Sequence, residues 1–221
     1  MATPYDFTTL PRAAARLKVS TSDVELPGLI AAASRALANW LGYEAHLREE
    51  VEETVPSEGG RYLWLRAGAV RRLVRVTVGG AEVEASAYHL DSPRHGRIVR
   101  RVGCWPFTGT WTAGVAPTPL TSHDTGEIRV TLDAGWRTPG QVVLALEENP
   151  ASTLTSELPA ELEEAALVVL AALYRPAGRD PNVLSRSTGG GSVTWRADAS
   201  AVPLLAQHLA APHRKLSRRQ P

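Results

Sequence analysis

"RLVRVTVGGAEVEA", Arg72 to Ala85, is the stretch on which the fold class turns. Val74, Val76 and Val78 alternate with Leu73, Arg75 and Thr77. That is the period of two expected of a half-buried strand, because successive side chains leave a strand on opposite faces. Gly79 and Gly80 follow at once, and a glycine pair reaches the positive φ values of a two-residue hairpin without a Cβ penalty. A strand, a tight reversal and the returning "AEVEA" make the smallest unit of an antiparallel sheet.

Toward the C-terminus the alternation recurs in "GRIVRRV" and most cleanly in "EIRVTLDAGW", where Ile128, Val130, Leu132 and Ala134 oppose Arg129, Thr131 and Asp133. Toward the N-terminus, "LREEVEETV" reads two ways: as a strand, or as a helix with Leu47, Val51 and Val55 at four-residue spacing. Residues 47–136 are thus expected to form one antiparallel sheet with a single apolar face. Between its strands, "GCWPFTGTWTAGVAPTPLTSHDTG" is rich in glycine, proline, threonine and serine and reads as a long loop.

Helical signals flank this region. Thr8 and Thr9 precede "LPRAAARL", with Pro11 tolerated in a first helical turn. A second helix is expected from about Pro27 to Leu41, after the capping candidates Ser22 and Asp23. Leu26, Leu29, Ile30, Ala33, Leu37, Trp40 and Leu41 fall close to one face of it. Helix returns at Pro159, where Leu162, Ala166, Val169, Leu170 and Leu173 form a stripe and Glu161, Glu163 and Glu164 sit where the helix dipole favours anions. Leu167 and Val168 lie off the stripe, so this helix is either central to a bundle or in contact with another protomer.

The fold class is therefore α+β: a small helical bundle, residues 1–178, with an antiparallel β-sheet insertion at about 47–136, followed by an extended C-terminal arm, residues 179–221. In the arm, "SRSTGGGSVTWR" places three glycines before a short alternating run, and "VPLLAQHLAAPHRKL" ends in a basic tip. The glycines read as a hinge.

Net charge is +1 from 24 basic and 23 acidic residues, which argues against a general nucleic-acid coat or a membrane-surface protein. The charge is laid out in blocks. Residues 44–58 are acidic, Arg61 to Arg101 hold nine arginines, Glu147 to Glu164 is acidic, and the chain is basic from Arg175 onward. Such blocks are either solvated faces or complementary patches that meet head to tail on a neighbouring copy. Cys104 is the single cysteine, so no internal disulfide forms, and a buried structural thiol is expected. No signal-peptide layout opens the chain, and "AALVVLAALY" is about half the length of a bilayer crossing, so a soluble intracellular product is expected.

The sequence carries no catalytic constellation. His89, Asp91 and His95 in "HLDSPRH" read as polar residues flanking a hairpin rather than metal ligands, and "SHD" at Ser122 to Asp124 lacks a nucleophile elbow. The triple glycine Gly189 to Gly191 is not followed by the lysine and hydroxyl residue of a phosphate loop. No cofactor and no enzymatic activity are expected. Trp105 and Trp111 bracket the long loop, as core anchors or as a stacking platform for sugar or bases.

In order, "LIAAASRALANWLGY", "YLWLRAGAVRRLVRVTVGGAEV", "AYHLDSPRHGRIVRRVGCWP", "EIRVTLDAGW", "LPAELEEAALVVLAALYRP" and "GGGSVTWRADASAVPLLAQHLAAPHRKL" make a series that resembles the head-tail connector proteins of tailed double-stranded DNA bacteriophages, also called adaptor or head-completion proteins. The resemblance runs from about Leu10 to Leu216 and rests on the ordered series, not on any one motif. The loop from Thr108 to Gly126 is longer, and the tail more basic, than the pattern has it.

The resemblance implies a structural virion protein at the head-tail junction, or in a related gene-transfer particle, assembled in the bacterial host cytoplasm without a membrane. It implies a homo-oligomeric ring of roughly twelve copies that joins the DNA-filled head to the tail. The partners implied are the portal protein, a tail-side neck protein (stopper or tail terminator), and genomic DNA in transit through the channel. Ser192, Val193, Thr194 and Trp195 would then add an edge strand to a neighbour or to the portal, and Leu204, Leu205 and Leu209 would form a short docking helix. Arg214, Lys215, Arg218 and Arg219, the basic tip, would meet an acidic rim on the portal rather than DNA phosphates. The competing fate of the tail is to fold back on its own domain. Two other functions stay open at this point: a DNA-binding packaging or regulatory module, and a sugar-binding accessory domain using Trp105 and Trp111.

Overall fold

The computed structural model describes residues 2–108, 127–174 and 202–215, together with the backbone of 185–188 and 191–194. The chain divides into two units: a helical unit of Met1–Leu41 with Arg137–Arg214, and a β unit of Gly42–Trp136 with Lys215–Pro221. The fold is α+β, as expected, with helices and antiparallel sheets.

In the helical unit, α1 spans Leu10–Leu17, and the Thr9 side chain caps it by accepting from the Arg12 amide at 3.4 Å, with Pro11 in the first turn. Helix α2 spans Leu26–Leu41. Asp23 Oδ1 accepts from the Glu25 amide at 2.9 Å just before it. Helix α3, Pro139–Glu148, has no counterpart in the sequence reading, yet it opens on a full capping box: the Thr138 hydroxyl accepts from the Gln141 amide, and the Gln141 side chain accepts from the Thr138 amide, both at 3.1 Å. Helix α4 spans Ala160–Leu173 and α5 spans Leu204–Ala210, the latter followed by a 3-10 turn at Ala211–His213.

Helix α4 is central. It packs against α1, α2 and α5, which is why Leu162, Ala165, Ala166, Leu167, Val169 and Leu170 are all buried and its apolar surface exceeds one stripe. Its acidic first turns are neutralised from α1: Arg12 Nε lies 2.9 Å from Glu163 and an Arg16 nitrogen 2.8 Å from Glu164. Part of the acidic stretch is thus paired within the unit.

The β unit holds β1 (Arg48–Val55), β2 (Tyr62–Trp64), β3 (Val70–Val78), β4 (Ala81–Glu82), β5 (Tyr88–Ser92), β6 (Arg97–Arg100) and β7 (Ile128–Ala134). The expected single sheet is instead two, a four-stranded sheet in the order β1-β7-β3-β4 and a three-stranded sheet in the order β2-β6-β5, antiparallel throughout. Both contribute to one apolar cluster, Leu63 and Ile98 from the smaller sheet meeting Val76, Ile128, Val130 and Leu132 from the larger. The hairpin is as read: Gly79 (φ 58°) and Gly80 (φ 86°) connect Val78 to its partner Ala81.

Two readings in this unit are corrected or resolved by register. "LREEVEETV" is a strand, paired along its length with β7. In β3 the alternation slips, because Leu73 pairs with Leu132 and Arg75 with Thr131, leaving Val74 as the extra residue of a bulge. Leu73 therefore packs on the core while Val74 is 40% exposed, the reverse of simple alternation. On β7 the reading holds, with Ile128, Val130, Leu132 and Ala134 buried. The polar residue Asp133 is buried as well, for a reason given by β1: Glu50 sits at φ 51° in a second bulge, and its amide donates to Asp133 Oδ1 at 2.9 Å while Arg72 Nε donates to Oδ2 at 2.8 Å.

Candidate functional site

The C-terminal segment carries the sequence-derived site residues, and the structure divides them. Ser192, Val193 and Thr194 lie on β9 (Gly191–Thr194), which forms a two-stranded antiparallel hairpin with β8 (Ser185–Thr188), pairing Ser192 with Ser187 and Val193 with Arg186. The strand expected from sequence is present, and its ladder partner is the residue run just before the glycines. A hairpin of two strands presents an unpaired row of backbone donors and acceptors on each outer side. Trp195, Gly189, Gly190, Arg218 and Arg219 lie outside the described residues.

Leu204, Leu205 and Leu209 lie on α5, whose seat is on α4. The contact is made by Ala206 and Ala210, both fully buried, and the Gln207 side chain closes the turn by donating to the Val202 carbonyl at 2.8 Å. Successive helical residues are rotated by about 100°, so Leu204 and Leu205 project from the other side of α5. They are 54% and 59% exposed. The next residues are anchored. His213 Nε2 approaches Glu161 at 3.9 Å, and the Arg214 guanidinium lies 4.7 Å over the Trp40 ring.

Lys215 belongs to the β unit. Its ammonium donates to three successive carbonyl oxygens, those of Leu65, Arg66 (2.9 Å) and Ala67 (3.3 Å). The amides of the same turn go to a carboxylate: those of Arg66 and Ala67 donate to Glu53. Burial pushes the Lys215 pKa below its ordinary 10.5, and the Glu53 carboxylate pulls the other way. The amine is thus engaged on backbone of its own chain.

Residues considered for chemistry do not converge. Asp91 is paired with Arg97, which donates to it from Nε at 2.6 Å, and among the described residues no three His, Cys, Asp or Glu side chains are placed to hold a metal ion. Cys104, expected as a buried thiol, is exposed. Ser122 to Asp124 and Trp111 lie outside the described residues. Trp105 is 1% exposed, its indole N–H donates to the Arg61 carbonyl at 3.1 Å, and its ring tilts against Tyr88 at 6.2 Å between centroids. It is a core anchor, so it offers no face to a sugar. Among the described residues no helix is long and apolar enough to cross a membrane.

One surface went unread. Past its first turn, α3 buries no residue. Pro139 and Gly140 are buried, Val142, Val143 and Leu144 are half-buried, and Leu146 is 41% exposed. The N-terminal signal that would have located this helix is the T-P-G-Q capping box at Thr138 to Gln141.

No family model matches the chain, and no curated protein matches it. Solved structures do. One, the neck of an empty gene transfer agent (GTA) particle computed with C6 symmetry, contains a chain 15% identical over 99% of this chain and 94% of its own length, at a TM-score of 0.53. The chain shares its fold with a gene transfer agent neck chain. The virion of the native GTA particle gives the same values, and the neck of the native particle computed with C12 symmetry gives 16% identity, coverage of 99% and 97%, and a TM-score of 0.50. The shared fold spans nearly the whole of both chains, with helical and β units alike.

Proposed function

We propose that this protein is a structural component of the neck of a phage-like particle, a connector that assembles as a closed ring of roughly twelve copies and acts by shape, without catalysis. The observation that carries the reading is the near end-to-end likeness to chains of GTA necks, two of them computed under cyclic symmetry. A cyclic ring needs two unlike surfaces per subunit, since each copy meets the next head to tail.

On this reading the ring sits beneath the portal with its opening on the path of the genome, and a tail-side neck protein docks on its far side. The β8–β9 hairpin offers an edge to a neighbour or to the portal, where main-chain hydrogen bonds supply affinity and Trp195 an aromatic anchor. Ordering such a segment costs on the order of 1 kcal/mol per residue, which repetition around a ring offsets through avidity. Arg214, Arg218 and Arg219 meet protein rather than DNA, because a channel that gripped phosphates would slow genome transit.

The test is genetic and structural. Electron micrographs of particles made without this protein should show filled heads that leak and carry no tails. Normal tailed particles in its absence would refute the proposal. Nanomolar binding of the isolated protein to DNA at physiological salt would favour a DNA-binding module instead.

A further inference from the structure

Within the β unit, the three donors of the Lys215 ammonium are all spent on neutral acceptors, the carbonyl oxygens of Leu65, Arg66 and Ala67. Among the described residues no carboxylate pairs with it directly. Glu53 takes the Arg66 and Ala67 amides of the same turn and acts on the ammonium only at longer range. The connection between β5 and β6 backs this seat. The Leu65 amide donates to the Gly96 carbonyl at 2.8 Å, and a Cβ on Gly96 would come within 2.5 Å of the Ala67 oxygen, so the chain at His95 and Gly96 lies against the carbonyls that Lys215 uses.

That connection is cationic. Burial first, and then the charges of Arg94, Lys215 and Arg97, hold the His95 pKa below its ordinary 6.5. The other ionisable groups of these segments give no relief. Asp91 is taken by Arg97, Glu53 by the two amides, and Tyr43, on which Arg94 acts, is kept neutral by burial. The His95 Nδ1 is itself buried with no hydrogen-bond partner among the described residues. A neutral imidazole accommodates this by leaving that nitrogen without a proton, whereas an imidazolium must place a donor there with nothing to accept it.

We propose that Lys215 and the Leu65–Ala67 carbonyls form a latch on the C-terminal tail, and that protonation of His95 loosens it. A cation held by neutral carbonyls beside other cations is poised to leave when one more charge appears next to it. With Lys215 withdrawn, His95 loses one of the three cations that act on it, and its pKa moves back toward 6.5. The open state thus takes up the proton more readily, so opening is favoured as pH falls below 6.5, while above 6.5 His95 is neutral in both states and the latch holds. The segment so released carries Arg218 and Arg219. The device lies within the β unit and goes beyond the neck reading, with which it neither stands nor falls.

The experiment uses the two lysines of the chain, Lys18 and Lys215. A lysine-specific endoprotease must draw the lysine side chain into its own acidic pocket, so it cuts after Lys215 only when the latch is open, whereas Lys18 is exposed and serves as the internal reference for the enzyme's own pH dependence. On the full chain, the ratio of initial cleavage rates at Lys215 and Lys18 should rise about two- to threefold as pH falls from about 7.5 to about 5.5, and it should stay flat in His95→Gln. A flat ratio in the parent, or a rise that survives in His95→Gln, overturns the latch. Coupling between two sites is reciprocal, so a second variant reads it from the other side: in Lys215→Met the His95 titration, followed by proton NMR, should move up by about 0.3–0.5 pH units, the same two- to threefold. An unmoved titration overturns the proposal as well.

Discussion

Asp133 ties three strands of the larger sheet together at one carboxylate, accepting from the Glu50 amide in the β1 bulge and from Arg72 on β3. The Glu50 amide first, and the Arg72 guanidinium after it, hold its pKa below the ordinary 3.8. A carboxylate with a lowered native pKa contributes stability that is present above 3.8 and is lost as pH falls through the native value. Asp133→Asn should therefore cost about 1–3 kcal/mol in urea denaturation at pH 7, mostly from the bulge amide because the Arg72 side chain is largely exposed. The gap to the parent should narrow as pH falls below 3.8 and through the lower native value. A gap that stayed constant across this range would disprove the assignment. Glycines offer a paired comparison. At Gly80 (φ 86°) nothing lies near an added Cβ, so Gly80→Ala should cost about 1–2 kcal/mol from backbone strain alone. At Gly135 (φ 89°) a Cβ would run into the His46 carbonyl, so Gly135→Ala should cost more than about 3 kcal/mol. The β3 bulge makes a third prediction: Leu73→Ala should destabilise by about 1–2 kcal/mol and Val74→Ala by less than about 0.5. Equal effects, measured by thermal unfolding, would restore the unbroken alternation.

Elements were legible in the sequence where the signal is local. Thr9 with Pro11, and Gly79 with Gly80, name their own structures because a cap and a two-residue turn are satisfied within a few residues. A bulge is not local. Val74 is an extra residue only relative to Leu132 and Thr131 on β7, which is 50 to 60 positions on, and "LREEVEETV" became a strand through the same partner. The division into two sheets, too, depends on which strands pair. Helix α3 drew no reading from the sequence; Pro139 and Gly140 form its first turn, with Gly140 so close to the Thr3 carbonyl that a side chain would collide. Thr138 is fully buried and serves both the cap and the Pro4 carbonyl, so Thr138→Ala should cost about 1–2 kcal/mol and fray α3, seen as loss of amide protection over 139–148. Of the residues offered for docking, Leu204 and Leu205 are exposed on α5, whereas the engagement of Lys215 with the Leu65–Ala67 carbonyls depends on contacts about 150 positions apart and leaves no sequence signal.

At the scale of the whole molecule, the described residues expose Leu146, Leu154, Leu173, Leu204 and Leu205 and include a two-stranded β hairpin. They bring no catalytic or metal-holding cluster together. A fold shared along nearly its full length with a GTA neck chain is the observation that supports the proposed collar role. The most direct measurement is a focused cryo-electron reconstruction of the neck of particles purified from the native source. The account predicts a closed ring of this chain, coaxial with the head opening. A neck built wholly from other chains, or particles that lack this protein, would contradict it.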